Sequence, residues 1–77
     1  MSDPLDTPIR DETIDLDQFL KYCGACSSGG EAKYFINEEM VMVNGEQEQR
    51  RRRTLRIGDI VEIQDVGSFR VATSESE

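Results

Sequence analysis

Apolar residues recur along this chain with two different periods. Leu16, Phe19, Leu20 and Cys23 fall at i, i+3, i+4 and i+7, the spacing of one buried helix face. Ala32, Phe35 and Ile36 repeat the i, i+3, i+4 spacing and predict a second helix. After residue 40 the period becomes two. Val41 and Val43 alternate with Met40 and Met42, Leu55 pairs with Ile57, and Val61 pairs with Ile63, all as in strands. Ser68-Phe69-Arg70-Val71 reads as a last short strand. Helices followed by strands is an α+β order, and the short link between the helices makes them an αα-hairpin. The expected fold is a two-helix hairpin packed on a small, mainly antiparallel sheet.

Local signals mark the element ends. Asp15 suits the N-cap of the first helix, with Gln18 as its box partner, and Gly24 suits its stop. Ser28 and Glu31 have capping-box spacing, so the second helix should run from Gly29 to Glu38 or Glu39. Asn44-Gly45 tolerates the positive φ of a tight turn, and Gly58-Asp59 and Asp65-Val66-Gly67 read as further turns. Residues 46–54 are polar throughout and fit either a loop or a charged edge strand. Residues 1–13, with Pro4, Pro8 and several acids, read as a flexible acidic arm in which Ile9 could anchor a short extended piece. That leaves residues 14–72 as the folded domain and residues 73–77 as a polar tail.

Composition narrows the classes. A chain of 77 residues holds one domain with a small core. No apolar run is long enough to span a membrane, and the acidic start lacks the apolar centre of a signal peptide, so the cytoplasm is the expected setting. The net charge of −7 argues against a polyanionic partner until its distribution is considered. Residues 1–17 carry six acids and one base, and residues 71–77 carry two acids. The body between them balances at eight of each, and half of its bases are the consecutive Arg50, Arg51, Arg52 and Arg53. A neutral body with one concentrated basic patch is compatible with RNA.

Two places could hold an anion. Guanidinium forks grip phosphates bidentately, but an extended run would turn alternate arginines to opposite faces, and the run could equally be a solvated edge. At the start of the second helix, Gly29 and Gly30 lack Cβ atoms and lie at the positive end of the helix dipole, with Lys33 nearby and Lys21 on the neighbouring helix. Glu31 opposes anion binding there, and the glycines could simply be a flexible entry. Cys23 and Cys26 spell CxxC, yet they sit at a helix end, and two cysteines without histidine do not supply the four ligands of a structural zinc site within one chain, though a zinc bridging two chains is conceivable. Reduced, structural cysteines are expected, with no cofactor. No catalytic constellation is visible, so no enzyme activity is expected.

The ordered set Ser28, Glu31-Ala32, Ile36, Val41-Met42-Val43-Asn44-Gly45 and Gly58-Asp59 before Ile60-Val61-Glu62-Ile63 resembles the S-four RNA-binding domain, a module named for a small-subunit ribosomal protein. The small stand-alone bacterial members look most similar. The resemblance covers residues 14 to 64 and implies that the helix hairpin (the alpha-L motif) and the following loop face RNA. Two basic family positions are absent: Asp15-Leu16-Asp17 stands at an Arg-Leu-Asp start and Ser28-Gly29 at a Ser-Arg entry. Glu39 also replaces the glycine that usually stops the second helix. Carried over by position, the candidate RNA-binding residues are Lys21, Gly29, Gly30, Lys33, Arg50, Arg51, Arg52, Arg53 and the flanking Arg56. The implied function is a monomeric, ribosome-associated module that holds structured RNA, ribosomal or transfer RNA, mainly through phosphates. The alternative is a protein-interaction adaptor that uses the sheet edge or the acidic arms.

Overall fold

The structure, a computed structural model, describes residues 4–74. Its elements in chain order are β1 (Leu5–Ile9), β2 (Thr13–Asp15), α1 (Leu16–Tyr22), α2 (Gly29–Asn37), β3 (Val41–Val43), β4 (Glu46–Gln47), β5 (Thr54–Arg56), β6 (Ile60–Ile63) and β7 (Gly67–Thr73). Five strands form one sheet in the order β1-β7-β6-β3-β4, antiparallel except for the parallel β1–β7 pair. β2 and β5 make a separate antiparallel ribbon. The α+β architecture expected from the sequence, a helix pair on a mainly antiparallel sheet, is the one observed.

The two apolar stripes meet the strand face as the periodicities require. Leu16, Phe19 and Leu20 of α1 and Ala32 and Ile36 of α2 are fully buried against Val41, Val43, Leu55, Val61 and Val71. Phe35 is only partly buried and packs on the margin of this core. Ile57, expected to continue the strand of Leu55, lies instead in the turn after β5 and is exposed.

The N-terminal segment departs most from the sequence reading. Leu5–Ile9 is an edge strand rather than a flexible arm, in register with β7 from Leu5↔Phe69 to Ile9↔Thr73. Ile9 is a buried core residue, and Asp6 pairs with Arg70 at 2.8 Å. Burial of Ile9 and pairing with β7 along its whole length hold the strand in place, and Pro8 is tolerated because β1 is an edge. Residues 1–3 of the expected arm and residues 75–77 of the expected tail lie outside the described residues.

The Asn-Gly and Gly-Asp stations are physically one feature. Asn44 and Gly45 have φ of 53° and 86°, the left-handed pair of a tight hairpin turn. The Asn44 side chain accepts from the Ile60 N–H at 2.9 Å and donates to Asp59 at 3.2 Å. Asp59 in turn accepts from the Arg56 N–H at 2.9 Å. A short polar staple thus ties the β3–β4 turn to the β5–β6 turn and fixes where β5 ends.

Candidate nucleic-acid interface

Residues 48–53 form neither an extended strand nor a loose loop. The Glu48 N–H still pairs with the Val41 carbonyl, and then the chain turns, with Arg53 N–H donating to the Arg50 carbonyl at 3.2 Å. Arg51 and Arg52 occupy the turn. The alternation of arginines expected for an extended run therefore does not apply. The turn docks on α1: the Leu16 and Asp17 N–H groups donate to the Arg53 and Arg51 carbonyls at 2.8 and 3.0 Å. This replaces the expected cap, since Asp15 sits at the N-cap position but its side chain makes no capping bond. Orphan amides of a helix start need acceptors, and here the arginine turn supplies them from the main chain.

Glu48, only 6% exposed, is the centre of this turn. One carboxylate oxygen accepts from the N–H groups of Gln49 and Arg50 and from Arg50 Nε; the other accepts from Arg50 Nη2 and Arg53 Nη1, all between 2.8 and 3.2 Å. Hydrogen bonds from Arg50 above all, and from Arg53, hold the Glu48 carboxyl down at about 2 although its burial opposes ionisation. The same contact raises Arg50 further. Two of the four arginines are thus committed to an internal acid. Among the described residues Arg51 and Arg52 make no ion pair, and both are exposed.

The turn faces α2 across an open groove of about 880 Å³ lined by Lys33, Asn37, Gln49, Arg50, Arg51, Arg52, Arg53 and Thr54. Among the described residues that line it there is no carboxylate. The structure so brings Lys33 together with the whole arginine run, which sequence separation hides. Asn37, Gln49 and Thr54 are polar groove residues missed from the sequence; Asn37 could have been found, since it lies one helical turn after Lys33. Gln49 is held from behind by the Glu39 carboxylate at 3.1 Å, while the Glu39 carbonyl accepts from Gln47 at 2.8 Å. Glu39 ends α2 at φ 63° in the left-handed region, as a glycine would. The conformation costs a non-glycine residue about 1–2 kcal/mol, and these two contacts offset part of it.

The remaining candidates lie elsewhere. Lys21 reaches the start of α2, its Nζ 3.9 Å from where a Cβ on Gly29 would stand. Neither Gly29 nor Gly30 has a positive φ or a neighbour that excludes a side chain, so the fold itself does not demand glycine there. Ser28 Oγ accepts from the Glu31 N–H at 3.2 Å, as the capping box requires. The Glu31 carboxylate, however, accepts from the Ser27 N–H and hydroxyl instead of the Ser28 N–H, which holds its pKa below the usual range. That carboxylate keeps the α2 start partly anionic. Arg56 is exposed on β5 and is not among the groove residues. Cys26 is buried and Cys23 half-buried; burial, ahead of the nearby Glu31, pushes the Cys26 thiol up to about 11, and burial raises Cys23 as well. Neither is poised as a thiolate at neutral pH.

The acid held down at Glu48 has a consequence for stability. Its folded pKa of about 2 lies below the ordinary 4.5, so its contribution is complete above pH 4.5 and is lost as pH falls toward 2. Glu31 adds to the same window from the surface. In thermal unfolding, the wild type should lose its advantage over Glu48→Gln between pH 4.5 and 2, the two midpoints converging at the acid end. Parallel curves across that range would show that the carboxylate contributes nothing.

A helix hairpin over a mainly antiparallel sheet, with a basic turn docked on the first helix, defines the class. The S4 domain family model matches residues 7–72. The chain belongs to the S4 domain family, the RNA-binding class that its Ser28-to-Ile63 stations resemble. A Bacillus subtilis (strain 168) protein carrying the name "probable ribosome maturation protein RlbA" is 48% identical over 71 residues, covering 92% of this chain and 97% of that protein. No helix among the described residues is long and apolar enough to cross a membrane.

Proposed function

We propose that the protein is a non-catalytic module that binds structured RNA, ribosomal or transfer RNA, as a monomer in the cytoplasm, and acts in ribosome maturation. The observation that carries this reading is the groove in which Lys33 faces Arg50–Arg53 with no carboxylate among its described lining residues. Five cations line the groove, two of them paired with Glu48, on a chain whose formal net charge is −7. The similarity to a ribosome maturation protein over nearly the whole of both chains supports the process. Lys21 at the α2 start and Arg56 beyond the turn would extend the track at its flanks. Contacts are to phosphates: Arg and Lys donors grip backbone oxygens, which position RNA without reading its sequence. Shape would then carry the selectivity, as for helical RNA generally.

The test is a titration against a structured ribosomal RNA fragment at three salt concentrations. Each neutralised phosphate contributes a slope of roughly −0.7 to −0.9 in log affinity against log salt. Arg51, Arg52 and Lys33 are available in full and Arg53 in part, so a slope of about −2 to −3 is expected. A flat response removes the groove as an RNA site.

A further inference from the structure

We infer that Glu48 is a positioning residue for RNA: it spends two arginines to hold the turn in the shape that delivers Arg51, Arg52 and the groove wall. This rests on the groove reading above. A carboxylate under a phosphate-binding surface would ordinarily weaken binding, because it cancels positive charge. Its geometry here argues for the opposite net effect. Both oxygens are filled by five donors from Gln49, Arg50 and Arg53, which fix the peptide path on each side of the turn. The bound path aims the Arg51 and Arg53 carbonyls at the α1 amides. Remove the carboxylate and the two anchors of the turn are released together. Arg51 and Arg52 would then have to be ordered by the RNA itself, an entropic cost set against binding. Arg50 uses its Nε and Nη2 on Glu48, so its fork is turned away from phosphate even though its side chain is 75% exposed.

Two variants separate positioning from charge. Glu48→Gln makes the protein less negative by one charge, and simple electrostatics expects tighter RNA binding. Positioning expects binding weaker by about five- to tenfold, the equivalent of roughly one phosphate contact. Arg50→Lys keeps the charge, sits at an exposed position and loses only the fork; positioning expects a loss of about two- to fivefold where charge alone expects none. Amide hydrogen exchange reads the same device without RNA. The Asp17 amide, which donates to the Arg51 carbonyl, should exchange faster in Glu48→Gln while the Val61 and Val71 amides of the core strands keep their protection. Binding to the same rRNA fragment is compared with that of Arg51→Ala/Arg52→Ala. If that double variant binds like wild type, the groove reading fails and this inference with it. If the double variant is weakened but Glu48→Gln binds as well as or better than wild type, or the Asp17 amide is unchanged, the inference alone is overturned.

Discussion

Phe19→Ala should unfold this protein at temperatures where the wild type is stable. Phe19 is the largest of the completely buried side chains among the described residues, and it belongs to the core cluster that residues of both helices and of the strands share. Truncating a buried phenylalanine costs about 3–5 kcal/mol, because the lost transfer energy is joined by an uncollapsed cavity. A domain of this size has only about 5–15 kcal/mol to lose, so the thermal midpoint should fall by on the order of 20 °C. Phe35→Ala is the informative partner. The apolar stripe of α2 assigns Phe35 to the core as firmly as Ile36, but it is only partly buried. Its truncation should cost about 1–2 kcal/mol. Equal midpoints for the two variants would mean that the helix faces are assigned wrongly.

The largest functional effect should come from Arg51→Ala/Arg52→Ala. Both side chains are exposed and make no ion pair among the described residues, so removing them leaves no orphaned acid and should hardly move the thermal midpoint. Each lost phosphate contact is worth about tenfold in affinity near 0.1 M salt, so the pair should weaken binding by roughly a hundredfold. The salt slope should become shallower by about 1.4 to 1.8. The loss should be similar for RNAs of different sequence and equal shape, since phosphates carry no sequence information. Arg50→Ala/Arg53→Ala has the same nominal charge but should also lower the thermal midpoint, by leaving Glu48 buried without its partners. A titration of both double variants, each with its melting curve, separates the two pairs. If Arg51→Ala/Arg52→Ala destabilised the fold and Arg50→Ala/Arg53→Ala left it intact, the division of the run would be the reverse of the one described.

That division marks the boundary of what the sequence discloses. The helix pair and β3, β6 and β7 were legible because each repeats one period over several residues, and the Asn44-Gly45 turn because few residues tolerate its backbone. The family was legible for the same reason, through positions that fix turns and caps. β1 was not, because one buried Ile9 in a stretch of acids and prolines leaves no period to read. The true cap of α1 was not, because it is made by main-chain carbonyls thirty and more residues away, to which any side chain is compatible. The candidate site was half legible. Its residue types could be named, but four consecutive arginines look equivalent until a single acid two residues before the run is seen to claim the first and the last.

The parallel pairing of β1 with β7 bears on the order in which the molecule can assemble. Asp6 meets Arg70 across a separation of 64 residues, whereas α1 with α2 and β6 with β7 are neighbours in the chain. Closing so long a loop costs entropy that local contacts do not pay, so such pairings form late in folding. During synthesis the first strand emerges long before its mate exists and must wait without a sheet to join. Asp6 and Pro8 keep it from pairing with other nascent chains in that interval. The charge that makes this segment look like a solvent-loving arm is therefore part of what keeps β1 available until β7 has been made.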